Sequence, residues 1–164
     1  MSQEKQVALI TGANRGLGLE TAKQLGATGV TILVGARQQS AAEETAATLR
    51  ASGIDAYGLK LDVVSEEDRK AAAKYIAEKF GKLDILINNA GVAANTGFEP
   101  VNSQTSDSEL ERVFETNVFA VVALTRELCV VQAVSARYAP RAREGRDRCV
   151  ARRACGARCT GRAA

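Results

Sequence analysis

The sequence contains no histidine and no tryptophan, and its four cysteines all lie at or after Cys129. None of these cysteines forms a Cys-x-x-Cys pair, so the usual ligand pattern of a structural zinc site is missing. No apolar run approaches the ~20 residues of a membrane helix, and the start "MSQEKQVALITG" lacks the basic region and cleavage site of a signal peptide. We therefore expect a cytoplasmic protein with free thiols, no metal and no membrane partner.

Lysine is missing from the last half of the chain, and this divides the sequence in two. Every lysine lies at or before Lys82, whereas residues 129–164 contain nine arginines against one glutamate and one aspartate, a net charge of +7. The whole chain carries +3, which leaves −4 for residues 1–128. This shift predicts one domain over residues 1–128 and a different tail over residues 129–164.

Residues 1–128 alternate short apolar runs with helix-forming segments. Ser65 is placed to cap one of these helices and Gly81 to end it. The alternation favours a parallel sheet with helices on both faces, and right-handed crossovers then give an α/β, Rossmann-type doubly wound half-sheet with strand order 3-2-1-4. The predicted strands are 6–12, 30–37, 55–63 and 83–91, and the predicted helices are 17–25, 39–52, 65–80 and 106–128.

The turn after the first strand reads "TGANRGLG", residues 11–18. Gly12 lets the chain leave the strand, Gly16 lets the backbone approach a pyrophosphate, and Gly18 allows the helix to pack closely on the strand. The following helix would present free N–H groups and its positive dipole end to the phosphate. The expected dinucleotide contacts in this loop are Gly12, Asn14, Arg15, Gly16, Leu17 and Gly18.

This loop, with its G-x-x-x-G-x-G spacing after Thr11, resembles the cofactor loop of the classical short-chain dehydrogenase/reductase family. Three further segments match that family in order and spacing: "LDV" at 61–63, "NNAG" at 88–91 and "TNV" at 116–118. The loop and "FGKLDILINNAG" look most like the carbonyl-reductase-type members. The resemblance covers about residues 5–128 and implies a nicotinamide-dependent oxidoreductase.

The resemblance also implies cofactor contacts outside the loop. Asp62, followed by Val63, matches the position whose carboxylate accepts a hydrogen bond from the adenine amino group. Asn89, Ala90 and Gly91 would line the floor beneath the adenosine ribose. An unpaired buried amide costs ~1–3 kcal/mol, so we expect the asparagine mainly to bond neighbouring backbone and to hold the strand ends together.

The residue that ends the second strand indicates which nicotinamide cofactor fits. An NAD site usually has Asp or Glu there, which hydrogen-bonds the ribose 2′-hydroxyl. Here the strand ends in Arg37, and Arg15 in the glycine loop could reach the same region. A guanidinium can grip a 2′-phosphate with two hydrogen bonds, so the pair predicts NADP(H) in preference to NAD.

The family's catalysis uses a tyrosine whose pKa is lowered by a lysine four residues on, together with a serine and an asparagine. The asparagine has a match in Asn117, and the other three residues have none. Tyr138 has no lysine partner, because lysine is absent after Lys82. Tyr75 and Lys79 have the right spacing but precede the fourth strand, so we expect an amphipathic helix with a partly packed tyrosine and a solvated lysine there.

The tail does not continue the family pattern. Residues 129–134, "CVVQAV", are a weak candidate for the fifth strand, and the residues that follow are mostly Arg, Ala, Gly and Cys. All four have GC-rich codons, so we interpret the tail as an out-of-frame translation and expect disorder after about residue 130. An arginine-rich nucleic-acid arm is the alternative, but with one aromatic residue it has little to stack on bases, so nucleic acid is not an expected partner.

Two functional hypotheses follow. The first is an NADP(H)-dependent oxidoreductase that transfers a hydride between nicotinamide and a small carbonyl or alcohol substrate, truncated before its Tyr–Lys pair and therefore inactive as this chain. The second is a non-catalytic dinucleotide-binding or regulatory module with a basic interaction arm. The resemblance also implies that a full-length member can form a homo-oligomer.

Overall fold

The computed structural model describes residues 5–94 and 105–134. Strands and helices alternate along the first of these ranges, and the second is helical throughout from residue 107. The elements are β1 (Val7–Thr11), α1 (Gly16–Ala27), β2 (Thr31–Ala36), α2 (Gln39–Ala51), β3 (Ala56–Lys60), α3 (Glu66–Phe80), β4 (Ile85–Ile87), α4 (Asp107–Phe114), a π-helical turn (Glu115–Phe119) and α5 (Ala120–Val134).

The four strands form one parallel sheet in the order β3-β2-β1-β4, which confirms the predicted order. Val7 pairs with Thr31, Ala8 with Ile85, and Ile32 with Ala56. Every residue of β1 and β2 is buried, because these central strands are covered on both faces.

The alternation of side chains along the strands divides the core into two layers. Ala8 and Ile10 point to the face covered by α1 and α2. Val7 and Leu9 point to the opposite face, which α3 and α5 cover. Side chains of the size of Val7, Leu9 and Ile10 each contribute roughly 1.5–3 kcal/mol when fully buried, so the two layers hold the strand ends in fixed positions.

The ends of α3 confirm the sequence prediction. Ser65 Oγ accepts a hydrogen bond from the Asp68 N–H (3.2 Å), and Gly81 ends the helix with a left-handed φ of 69°. Ser106 begins α4 in the same way by accepting from the Glu109 N–H (3.3 Å). Serine caps therefore fix where these two helices start.

The fourth strand is shorter than predicted, with three residues instead of the expected nine. At its start, Asp84 Oδ2 accepts a hydrogen bond from the Val7 N–H (2.8 Å), so the side chain takes the place of a backbone partner there. At its end, the chain leaves the sheet at Asn88. The strand therefore lies between two polar residues that bond outside the regular ladder.

Residues 129–134 are helical, so their interpretation as a fifth strand is wrong. Leu124, Leu128 and Val131 recur at helical spacing and are all buried in the layer beside α3, which carries the helix past Leu128. Cys129, the first residue of the predicted tail, lies on α5 and is a free, exposed thiol, whereas Tyr138, Cys149, Cys155 and Cys159 lie outside the described residues. Among those that are described, no helix is long and apolar enough to cross a membrane.

Candidate functional site

The predicted binding residues gather at one edge of the sheet. In a parallel sheet the carboxyl ends of all strands meet at the same edge, and ligands bind there. The glycine loop follows β1, Arg37 follows β2, Asp62 follows β3, and residues 88–91 follow β4. The observed strand order thus brings segments together that are up to 79 residues apart in the sequence, such as Thr11 and Ala90.

A cleft of about 450 Å³ opens at this edge between β1 and β2. Three of the predicted residues line it: Asn14, Arg15 and Arg37. Ala36, Gln38 and Ala41 also line it but were not predicted. Their position at the end of β2 and the start of α2 is the signal that could have identified them, because the first helical turn after a strand faces this edge.

The cleft is positively charged. Arg15 and Arg37 are exposed, and neither makes an ion pair or side-chain hydrogen bond within the part of the chain that the structure describes. Arg15 precedes α1 and Gln38 precedes α2, and neither helix has a side-chain cap or an acidic residue in its first turn. Two guanidinium groups and two uncapped helix N-termini therefore favour an anion at this position.

The glycines of the loop have the geometry that their predicted roles require. Gly12 and Gly16 have φ values of 63° and 57°, which residues other than glycine rarely adopt. A Cβ at Gly18 would lie 2.5 Å from Asn89 Nδ2 and 2.6 Å from the Gly12 carbonyl oxygen, so helix and loop are packed too closely for a side chain. A Cβ at Gly16 would meet no atom within 4 Å, and the neighbouring Leu17 is 82% exposed.

Asn89 holds the end of β4 against the glycine loop, as the sequence predicted. Its Nδ2 donates hydrogen bonds to the carbonyl oxygens of Thr11 (2.9 Å) and Gly12 (3.2 Å). In the opposite direction, Thr11 Oγ1 accepts from the backbone N–H groups of Asn89 (3.0 Å) and Ala90 (2.9 Å). This network fixes the start of the loop. The ribose contacts predicted for residues 89–91 remain predictions.

Asp62 and Val63 lie after β3, beyond the lining of the cleft. The Asp62 N–H donates to Asp68 Oδ2 (3.0 Å), and Asp62 Oδ1 accepts from the Val64 N–H (3.2 Å). The Val63 side chain is buried in the core, and its carbonyl oxygen accepts from Arg69 Nη1 (2.8 Å). Any ligand contact by Val63 would therefore involve its backbone.

A lysine stabilises the ionised form of Asp68 in this region. Lys60 Nζ donates to Asp68 Oδ1 (2.9 Å), and this hydrogen bond, followed by that from the Asp62 N–H, holds the pKa of Asp68 below its ordinary value. The carboxylate is 14% exposed, whereas the lysine is 57% exposed. Asp68 is therefore a charged acceptor at neutral pH that links β3 to the loop after it.

Asn117 lies in the π-helical turn, an irregularity that frequently occurs at functional sites. Its Oδ1 accepts from the Val92 N–H (2.9 Å), and its Nδ2 donates to the Val92 carbonyl oxygen (2.7 Å). A Cβ on Gly91 would lie 3.2 Å from Asn117 Oδ1, so the glycine leaves room for this contact. The amide thus holds the segment after β4, and its catalytic role remains a prediction.

Tyr75 and Lys79 do contact each other, on the α3 side of the sheet. Lys79 Nζ donates to the Tyr75 hydroxyl (2.9 Å) and lies 3.8 Å from the centre of the Tyr57 ring. Tyr75 is partly buried and Lys79 is exposed, as predicted, and the lysine additionally lies over the Tyr57 ring. The pair packs α3 on β3. The hydrogen bond to Tyr75 and the cation–π contact with Tyr57 therefore give Lys79 a structural role in the scaffold.

The described residues contain no group of three or more His, Cys, Asp or Glu side chains that could hold a metal ion.

Comparison with known proteins identifies the family. The model of the short chain dehydrogenase family matches residues 6–135, and the chain belongs to this family. It is 45% identical over 123 residues to the short-chain dehydrogenase anuI of Penicillium roqueforti, covering 74% of this chain and 47% of that protein. It is 36% identical over 126 residues to the 3-oxoacyl-[acyl-carrier-protein] reductase FabG of Pseudomonas aeruginosa, covering 77% of this chain and 49% of that protein.

Solved structures agree with this assignment. The chain is similar to a variant of actinorhodin polyketide ketoreductase solved with NADPH, with a TM-score of 0.71 and 32% identity over 80% of this chain and 49% of that one. It is also similar to a metagenomic short-chain oxidoreductase in complex with NADP, with a TM-score of 0.70 and 27% identity over 80% of this chain and 58% of that one. The chain spans about half the length of the curated relatives it matches.

Proposed function

We propose that this chain is the NADP(H)-binding part of an oxidoreductase that acts on carbonyl or alcohol groups. The observation that carries the proposal is the cleft between β1 and β2, where Arg15 and Arg37 lie beside the uncapped starts of α1 and α2. The two similar structures solved with NADPH or NADP support it. The reductases among the relatives support carbonyl reduction as the reaction class.

The residues present fit such a cofactor. The positive φ of Gly16 and the open space beside it suit a close approach of the backbone to a pyrophosphate, which the N-terminus of α1 would stabilise. Arg37 stands where an NAD site carries an acid, so it would bind a 2′-phosphate and would not accept from a 2′-hydroxyl. Arg15 also lines the cleft and would add a second guanidinium.

The chemistry of this family requires more than this binding site. Bound NADP(H) supplies or accepts the hydride, whereas the protein must hold a proton donor at the substrate oxygen. Asn117 holds the segment after β4, but the 164 residues contain no Tyr-x-x-x-Lys after that strand. We therefore propose that the polypeptide of residues 1–164 binds NADP(H) without turning over a substrate.

The binding proposal is tested by titrating the full 164-residue chain with NADPH and with NADH by fluorescence. We expect tighter binding of NADPH. Arg37→Ala should weaken NADPH binding by about tenfold or more, since a charge-assisted hydrogen bond contributes ~1.5–3 kcal/mol, and should leave NADH binding unchanged. Arg126→Ala is the matched control, because Arg126 is an exposed arginine on α5, on the opposite face of the sheet. Equal losses in the two variants would contradict the proposal.

The catalytic proposal is tested by adding a panel of aldehydes and ketones to the NADPH-loaded chain. If NADPH is oxidised faster with the protein than in buffer with the same substrates, another group must replace the Tyr–Lys pair. Binding without turnover is the expected result, and it is also what the second candidate, a non-catalytic dinucleotide-binding module, would give. The lack of any lysine after Lys82 favours that candidate for this chain. No NADPH binding would overturn both.

A further inference from the structure

The side chain of Asp68 connects the end of β3 to the loop that carries Asp62. Its two carboxylate oxygens have different partners: Oδ1 accepts from Lys60 Nζ (2.9 Å) and Oδ2 accepts from the Asp62 N–H (3.0 Å). Because Lys60 lies on β3 and Asp68 lies in the first turn of α3, the carboxylate fixes the loop against both elements.

This arrangement is not needed to start the helix. Ser65 already caps α3, and Glu66 and Glu67 supply negative charge to its first turn. The Asp68 carboxylate is directed instead at the backbone of Asp62. Asp62 is therefore the residue whose backbone Asp68 holds in place.

Asp62 is fixed in a way that leaves one oxygen available. Its Oδ1 accepts from the Val64 N–H (3.2 Å), while no donor among the described residues reaches its Oδ2. Asp62 follows β3, and Arg37 follows the neighbouring strand β2, so the two residues come at the same edge of the sheet after adjacent strands. A carboxylate oxygen in this position can accept a hydrogen bond from an exocyclic amino group of a bound base.

We propose that Asp68 is a positioning residue that holds Asp62 for recognition of the purine amino group of the cofactor. This inference rests on the proposed NADP(H) binding and adds to it the residue that orients the base contact. Asp68 itself does not touch the cofactor. It acts by holding the Asp62 N–H, and Lys60 holds Asp68 in turn.

The test compares NADPH with its deaminated analogue, in which hypoxanthine replaces adenine and the amino group is lost. The full chain should bind NADPH about tenfold more tightly, the loss expected for one hydrogen bond to a charged group. Asp62→Ala should abolish this preference. Asp68→Ala should reduce it to about threefold or less, and Asp68→Asn, which keeps the shape and an acceptor oxygen, should retain more of it.

Glu66→Ala is the matched control. Glu66 is exposed, pairs with Lys70 and does not contact Asp62. Its replacement removes the same charge from the same turn of α3 as the Asp68 substitutions to alanine and asparagine do. It should keep the full preference for NADPH. A general loss of structure would weaken both ligands equally and leave their ratio unchanged, so the ratio is the decisive readout. Circular dichroism establishes whether each variant is folded. If Asp68→Ala is unfolded, the comparison uses Asp68→Asn instead.

The outcomes separate this inference from the proposed function. NADPH binding with an unchanged preference in the Asp68 variants would overturn the positioning role and leave the proposed function intact. Equal affinity of the unmodified chain for NADPH and its analogue would overturn base recognition by Asp62, and the inference with it. A chain that binds neither ligand would overturn the proposed function itself.

Discussion

Removal of the Asn89 side-chain amide should loosen the glycine loop from the sheet. Its Nδ2 donates to the carbonyl oxygens of Thr11 and Gly12, and the residue is partly buried. Asn89→Ala removes both donors, and at a net ~0.5–1.5 kcal/mol for each bond we expect a loss of about 1–3 kcal/mol in the free energy of unfolding. Asn89→Asp should cost more, because a carboxylate oxygen would then face two carbonyl oxygens.

Asn88 provides a matched control on the adjacent residue. It is exposed, and its side chain donates one long hydrogen bond to Thr125 Oγ1 (3.4 Å). Asn88→Ala should therefore change the free energy of unfolding by no more than about 0.5 kcal/mol. The same residue type is deleted from the same turn, so the comparison isolates the two bonds to the loop.

Urea unfolding followed by circular dichroism measures these differences. With a slope of about 1–3 kcal/mol per molar urea, a loss of ~2 kcal/mol moves the midpoint by roughly 1 M. NADPH affinity should fall in the same order, with Asn89→Asp the weakest. Equal midpoints for Asn88→Ala and Asn89→Ala would refute the reasoning, and so would an Asn89→Asp variant as stable as Asn89→Ala.

Three further predictions rest on single contacts. Gly18→Ala would place a Cβ 2.6 Å from a carbonyl oxygen of the glycine loop, so we expect NADPH binding to be lost in a titration of the folded variant. Glu127→Ala should lower the urea midpoint, because it leaves Arg69, which is 8% exposed, without its carboxylate partner at 3.4 Å, whereas Glu127→Gln should lower it less. The hydrogen bond from Lys60 lowers the pKa of Asp68, so ionised Asp68 stabilises the fold above about pH 4 and this contribution disappears as the pH falls through the lowered pKa. The stability difference between the unmodified chain and Asp68→Asn should therefore shrink below about pH 4 in acid unfolding curves.

The fold was predictable because local patterns determine it. Short apolar and β-branched runs between helix-forming segments predict the strands, and the doubly wound pattern predicts the strand order 3-2-1-4, which the structure confirms. The role of Asn89 could also be anticipated, since a polar amide at the end of a buried strand needs backbone partners. The caps at Ser65 and Gly81 were readable for the same reason, because each satisfies backbone groups within a few residues.

Features that depend on distant partners were not predictable. The π-helical turn has no marker in the local composition, and the Asn117 amide within it contacts Val92, 25 residues earlier in the chain. The position of Lys79 over Tyr57 likewise depends on how α3 lies on β3. The helix over residues 129–134 is hidden in the sequence because the change in composition begins at Cys129, although Leu128 and Val131 keep the helical spacing of buried residues.

The contrast between capped and uncapped helices strengthens the argument for a ligand at the cleft. A serine or aspartate cap typically contributes ~1 kcal/mol to a helix, and α3 and α4 each begin with one. The two helices that border the cleft, α1 and α2, begin with Arg15 and Gln38, and their first turns contain no acid. Their first N–H groups are therefore left for another acceptor. Because a bound phosphate would satisfy those groups and the two nearby arginines together, we interpret the missing caps as part of the proposed binding site.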